Sequence, residues 1–261
     1  MIPVQEILNW LEEVAPLQLA AEWDNVGLLL GDPTKQISRV MTCLTLSEDV
    51  AGEAVEGSAG LVITHHPIPF RPVSRISTLE PTGKILWKLA NAAICVYCPH
   101  TAWDSALKGI NQQWAELLGL ENVRPLAEPQ PDGTGVGRMG ELPVPVTLGD
   151  LIERVKASLR LDRVGVAGEL SRPIRRVGIA CGSGGELIPA AITAQCDTLV
   201  TGELSYHRVL EAKAWGLTVV LVGHYASERF AMENLARLLA EAFPSLTVWA
   251  SKKEGDPIWW V

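Results

Sequence analysis

Leu61-Val-Ile-Thr-His-His-Pro67 is the stretch on which the fold turns. A short apolar run closed by a proline reads as a strand, and a run this apolar reads as a buried one. Two histidines stand at its carboxyl end. Downstream, Gly83–Ala93 (GKILWKLANAA) has helical spacing and leads to a second apolar run, Ile94-Cys-Val-Tyr-Cys-Pro-His100. Ser105–Gly119 reads as another helix. Upstream, Ser47–Gly60 is helix-like and follows two short β-rich runs, Val26–Gly31 and Arg39–Leu46. At the start, Val4, Ile7, Leu8, Leu11 and Val14 form one helical stripe that Pro16 ends. Strands alternating with helices predict an α/β fold.

The same grammar returns in the second half. Arg124–Gly135 (RPLAEPQPDGTG) is rich in Pro and Gly and is the expected boundary. Residues 1–124 are expected to form a first lobe, 125–135 the connection, and 136–261 a second lobe, with exchange of elements between lobes left open. Thr147–Leu161 reads as a helix with a Thr N-cap. Ile174–Gly185 reads as a strand entering a glycine turn, and Glu186–Gln195 as a short helix with Pro189 near its start. Thr198–His207 and Thr218–Glu228 read as strand and turn, Arg229–Phe243 as a helix, and Ser245–Lys253 as a closing strand. A weak internal repeat emerges. Each half ends a strand in His-x-x-x-acid: His100 to Asp104, and His224 to Glu228. Two related lobes facing each other would bring these strand ends to one crevice, where open α/β sheets bind ligands.

Composition narrows the function. The chain has 261 residues, 48% hydrophobic and 20% charged, enough for a core without staples. With 22 basic and 30 acidic residues the net charge is −8, which disfavours a nucleic-acid partner. No signal peptide or membrane-spanning run is evident, so a cytoplasmic location is expected. Five scattered cysteines do not suggest a disulfide framework. Cys95 and Cys98 form C-x-x-C inside an apolar run and read as buried strand residues.

The five histidines lie at strand ends or in turns. His65, His66, Asp104, His224 and Glu228 have the donor types of a dinuclear centre: imidazole nitrogens, and carboxylates able to bridge two ions. Plainer readings stand beside this one. Asp104 suits a cap for a helix starting near Ser105, and Glu228 suits a first-turn helix acid. Gly182-Ser-Gly-Gly185 suits a tight turn better than a phosphate cradle, since no Walker lysine follows. The metalloprotease pattern H-E-x-x-H and the nucleophile elbow G-x-S-x-G are absent.

As a set, EWDNVGLLLGDP (22–33), ITHHPIPF (63–70), HTAWDSALKGIN (100–111), TGELSYH (201–207) and GHYASE (223–228) resemble the Nif-three-like family. Its members go by the names GTP cyclohydrolase I type-two homologue and dinuclear metal-centre protein. The resemblance implies two α/β lobes with mixed sheets and a ring-shaped homohexamer. It also implies two divalent ions per chain, with zinc, iron, manganese and nickel all suited to the donors. Glu228 would bridge them, His65 and Asp104 would serve mainly one ion, and His66 and His224 the other. His100 and His207 would stand behind the ligands or face the substrate; His100 joins Glu228 as a catalytic candidate. Asp24 and Asn25 would shape a turn or orient a neighbour. The domain that longer members insert mid-chain has no room here. The implied activity is metal-dependent hydrolysis of a small substrate, nucleotide or heterocyclic, with GTP ring opening as one version. The alternative is a non-enzymatic metal-binding or adaptor protein that forms a ring. Trp259 and Trp260 are candidates for an interface, with a final strand packed on the same chain as the equal alternative.

Overall fold

The computed structural model describes residues 1–259; Trp260, and with it half of the expected Trp259–Trp260 contact, lies outside the described residues. The chain divides into two compact units. The first comprises Met1–Trp103 and Ala231–Gly255, the second Asp104–Phe230 with the residues from Asp256.

The first unit is built on a five-stranded mixed sheet. Its spatial order is Thr247–Ala250, Arg39–Cys43, Leu61–Thr64, Cys95–Cys98 and Gly27–Leu30. The first four strands run parallel, and Gly27–Leu30 pairs antiparallel at the edge. Parallel strands are buried on both faces and so read as unbroken apolar runs; Leu61–Thr64 and Cys95–Cys98 are buried throughout. Helices Val4–Val14, Glu48–Glu56 and Pro81–Asn91 follow the expected spacing. Ser47 caps the second of these by accepting from the Val50 N–H, and Pro81 opens the third, where a missing N–H costs nothing. Met41, Val50, Val62, Leu86, Leu89 and Val96 form the core between helices and sheet.

The second unit carries a six-stranded mixed sheet: Glu121–Arg124, Arg138–Thr147, Pro173–Ser183, Thr198–Glu203, Thr218–Leu221 and Gly165–Ala167. The central pairs, Pro173–Ser183 with Thr198–Glu203 and the latter with Thr218–Leu221, are parallel; the outer pairs are antiparallel. Helix Leu148–Leu159 starts at a capping box in which Thr147 and Asp150 satisfy each other's backbone N–H groups. Trp114, Leu151, Val155, Val177 and Ile179 form one core, and Ile188, Leu199, Leu217 and Val219 another.

Several expectations need correction. Residues 125–135 do not divide the chain; they lie inside the second unit, and the first division falls at Trp103/Asp104. The reason is backbone pairing: Ala127 and Val136 exchange hydrogen bonds, and Gly135 N–H donates to Ser105 O. Of the helix read over 105–119, Ile110–Leu117 is helical, starting after extended Gly109, and Ser105 ends a separate short helix, His100–Ser105. The helix read from Arg229 begins at His224. Strand Arg138–Thr147 was missed because Pro143 and Pro145 interrupt it. Its pairing with Pro173–Ser183 shifts register between Ile174 and Arg176, and the prolines fall in the gap between the paired segments Arg138–Glu141 and Val146–Thr147.

Candidate metal centre

In the first unit the ladder continues past the strand. His65 N–H donates to Cys43 O at 3.0 Å and His66 N–H to Leu44 O at 2.8 Å. Thr64 Oγ1 donates to His66 O at 3.1 Å. Backbone bonds thus fix both histidines at the carboxyl end of a buried strand. His65 is 0% exposed. The His66 Nδ1 lies 2.7 Å from Thr45 Oγ1, which sets the ring's rotation. His100 opens the next helix with φ +30°, a conformation that costs a non-glycine residue energy and persists where the surroundings impose it. What imposes it is Asp24. The His100 Nδ1 lies 2.7 Å from Asp24 Oδ1, and Thr101 donates to Asp24 Oδ2 through both N–H and hydroxyl. The Asp24 side chain is fully buried in this pair. Burial alone would raise its carboxyl pKa, but the hydrogen bonds from His100 and Thr101 outweigh it and hold the group below its ordinary range.

His65, His66 and His100 converge. Their ring centroids are 5.1–5.8 Å apart, and each offers a ligand nitrogen within 4.8 Å of the others. The resemblance implies that His100 stands behind the ligands or faces the substrate; in the structure its ring lies beside those of His65 and His66.

In the second unit the parallel ladder again outruns its strand: Val222 N–H donates to Thr201 O and Gly223 N–H to Gly202 O. The next residue, His224, begins helix His224–Ala242, so His224 and Glu228 lie one turn apart on one face. The His224 Nε2 is 3.2 Å from Glu228 Oε2, and its Nδ1 is 3.0 Å from Glu203 Oε1. The hydrogen bond to Glu228 raises the imidazole pKa; burial lowers it, and the remaining attraction of Glu228 and Glu203 carries it up to about 9. Two donors of one cation, each about 2.1 Å from it, stand roughly 3.0–3.4 Å apart. The His224–Glu228 pair has that spacing, so the two side chains could serve one cation. Asp104 is held separately: Cys181 Sγ–H donates to its Oδ1 at 3.1 Å, and the buried Asn111 binds both Asp104 O and the Cys181 N–H. Burial pushes the Cys181 thiol well up, with Asp104 and Glu228 adding to the effect.

Gly182 has a role that the turn reading missed. It sits within strand Pro173–Ser183 at φ +60°, and a Cβ there would run into Glu228 Oε1. Its N–H donates to Ser227 Oγ at 2.9 Å, and that hydroxyl donates to His224 O. The glycine therefore lets backbone approach the carboxylate closely. His207 is exposed against Tyr206 and joins neither metal-binding group. Glu203, which bonds His224, closes strand Thr198–Glu203, and its place at that strand end is the signal the sequence offers.

Fold and side chains define a mixed α/β protein with His/Glu groups able to bind a metal ion. The chain belongs to the Duf34/NIF3 (NGG1p interacting factor 3) family, which it matches over residues 2–257. It is similar to the GTP cyclohydrolase 1 type 2 homolog of Clostridium perfringens, with 33% identity over 97% of this chain and 98% of that one. It is similar to the NIF3 homolog of Schizosaccharomyces pombe, with 34% identity over 95% and 94%. A Bacillus cereus protein related to NIF3 shares the fold over the whole of both chains, with TM-score 0.91 and 25% identity.

Proposed function

We propose that the chain is a metal-dependent hydrolase of a small nucleotide or heterocyclic substrate. In this reading His65, His66, Asp104, His224 and Glu228 bind two divalent ions, with Glu228 bridging. The observation that carries it is the imidazole group of the first unit: three ring nitrogens within 4.8 Å, one of them on a fully buried residue. Such a group is a poor solution for stability alone and a good one for a soft or borderline cation. A divalent pair supplies Lewis acidity and activates water near neutral pH. The chain's own residues do the rest. Asp24 holds His100 at Nδ1, leaving Nε2 as the nitrogen that binds or moves a proton. Gly182 leaves room for the Glu228 carboxylate.

The GTP cyclohydrolase name of the bacterial relatives supports a purine nucleotide as substrate. The family description, an interacting factor, favours the second reading: a metal-binding adaptor that acts by contact. Either reading is compatible with assembly into a homohexamer and with a cytoplasmic setting. No described helix is long and apolar enough to cross a membrane. The test is a turnover screen of the zinc- or manganese-loaded protein against nucleotides and cyclic amides, with Glu228→Gln alongside. Turnover that needs metal and vanishes in Glu228→Gln supports the hydrolase. A metal-replete protein inert across the screen favours the adaptor.

A further inference from the structure

Two large aromatic side chains of the first unit stand in solvent beside the imidazole group. Trp23 is 65% exposed and Phe70 51%. Isolated exposed aromatics are ordinary; these two touch each other, with ring centroids 5.9 Å apart, and both meet His100 edge-on, at 6.1 and 6.3 Å. The His100 ring in turn lies 5.1 Å from that of His65 and 5.8 Å from that of His66. An apolar shelf thus runs directly into the candidate metal ligands.

The shelf is pre-organised. Asp24, next to Trp23, donates its N–H to Ala21 O at 2.9 Å and grips His100 and Thr101 through its carboxylate. Asn25 donates from Nδ2 to Pro69 O at 2.8 Å, which ties the Trp23 turn to the Phe70 loop. The polar neighbours are spent on holding the two loops together, and the rings face out. Fixed aromatic faces bind flat ring systems at little ordering cost, and they tolerate different bases because every base has a π-face.

We infer that Trp23 and Phe70 form a stacking subsite for a planar nitrogen heterocycle of the purine type, placed beside His100. The inference rests on the metal-site reading and adds the residues that would hold the substrate's ring. At 5.9 Å and 45° the two rings leave no slot between them, so the heterocycle lies on the outer face of the indole and contacts Phe70 at its edge.

Guanosine binding to the full-length protein tests this by calorimetry, with ribose as the control lacking a flat ring. Trp23→Leu and Phe70→Leu keep apolar bulk and remove the ring, and circular dichroism confirms their folding. Zinc content is measured on every sample. The expected result is guanosine binding to the parent, no ribose binding, a loss of tenfold or more in Trp23→Leu, and a smaller loss in Phe70→Leu, with zinc content unchanged. Equal guanosine affinity in parent and Trp23→Leu, or no binding to the parent at millimolar guanosine, overturns the subsite while leaving the metal reading intact. Guanosine binding lost in Trp23→Leu by a protein that takes up no zinc supports the subsite and removes the metal reading. A change of oligomeric state in Trp23→Leu with guanosine affinity untouched assigns the rings to self-association and overturns the inference.

Discussion

The two units solve one problem with different chemistry. In each, a parallel strand pair is linked by a crossover helix, Pro81–Asn91 in one and Tyr206–Ala214 in the other. In each, the later strand is followed by a histidine that opens a helix, His100 or His224. The earlier strands differ. Counting from Thr64 and Thr201, the first unit continues with His65-His66 and the second with Gly202-Glu203. The first unit thereby collects imidazoles. The second collects carboxylates, and its glycine leaves space for backbone, since a Cβ on Gly202 would meet Gly182 O and Ser227 Oγ. The orienting partners differ as well. Asp24, which holds His100, has a fully buried side chain; Glu203, which holds His224, is about half exposed at 52%. The same strand-helix-strand arrangement can therefore carry one donor set rich in nitrogen and one rich in charge.

The comparison breaks most visibly at Gly182, which has no counterpart among the first unit's histidines. Gly182→Ala forces φ +60° on alanine and pushes its methyl against Glu228. Left-handed strain and overpacking together predict a loss of about 3 kcal/mol. Urea unfolding of the metal-free protein reads it; a loss below ~0.5 kcal/mol would mean that the glycine is incidental.

Burial of the orienting partner should set its worth. Asp24→Asn is expected to lower metal affinity about 100-fold and Glu203→Gln about 10-fold, spanning the usual range for groups that orient a ligand. Competition with a chromophoric chelator measures both. Equal losses would show that exposure does not separate the two units.

Smaller still is an effect confined to the first unit. Glu53 binds Ser251 Oγ, the Trp249 indole and the N–H groups of Lys252 and Lys253, securing the returning C-terminal strand. Burial would raise its pKa, but these hydrogen bonds win and hold it below the ordinary value. A carboxylate depressed in the folded state contributes stability above its unfolded pKa, about 4.3, and loses it as pH falls through the lower folded value. Glu53→Gln should cost roughly 1–2 kcal/mol at pH 7, discounted for partial exposure. The difference from the parent should shrink below about pH 4. A gap that is constant from pH 7 to pH 3 would remove the ionic contribution.

Much of this was legible beforehand. Unbroken apolar runs such as Leu61–Thr64 announce parallel strands because both faces are buried; His65 and His66 follow such a run, and His-x-x-x-acid spacing marks Asp104, His224 and Glu228, while their roles as ligands are what the family resemblance implies. Three things were not legible. Strand Arg138–Thr147 hides behind two prolines because its pairing is interrupted where they fall. The division at residue 103 lies within a helix, where no composition change marks it. The partnership of Asp24 with His100 spans 76 residues, and local spacing carries no record of such a contact.

The central claim is that both strand-end groups bind metal, with Glu228 as the shared carboxylate. Elemental analysis of the protein after reconstitution and desalting tests it most directly, with folding verified for parent, Glu228→Gln and His207→Gln. The account predicts two divalent ions per chain in the parent and in His207→Gln, and fewer than two in Glu228→Gln. Two ions retained by Glu228→Gln, or none bound by the parent, would contradict it.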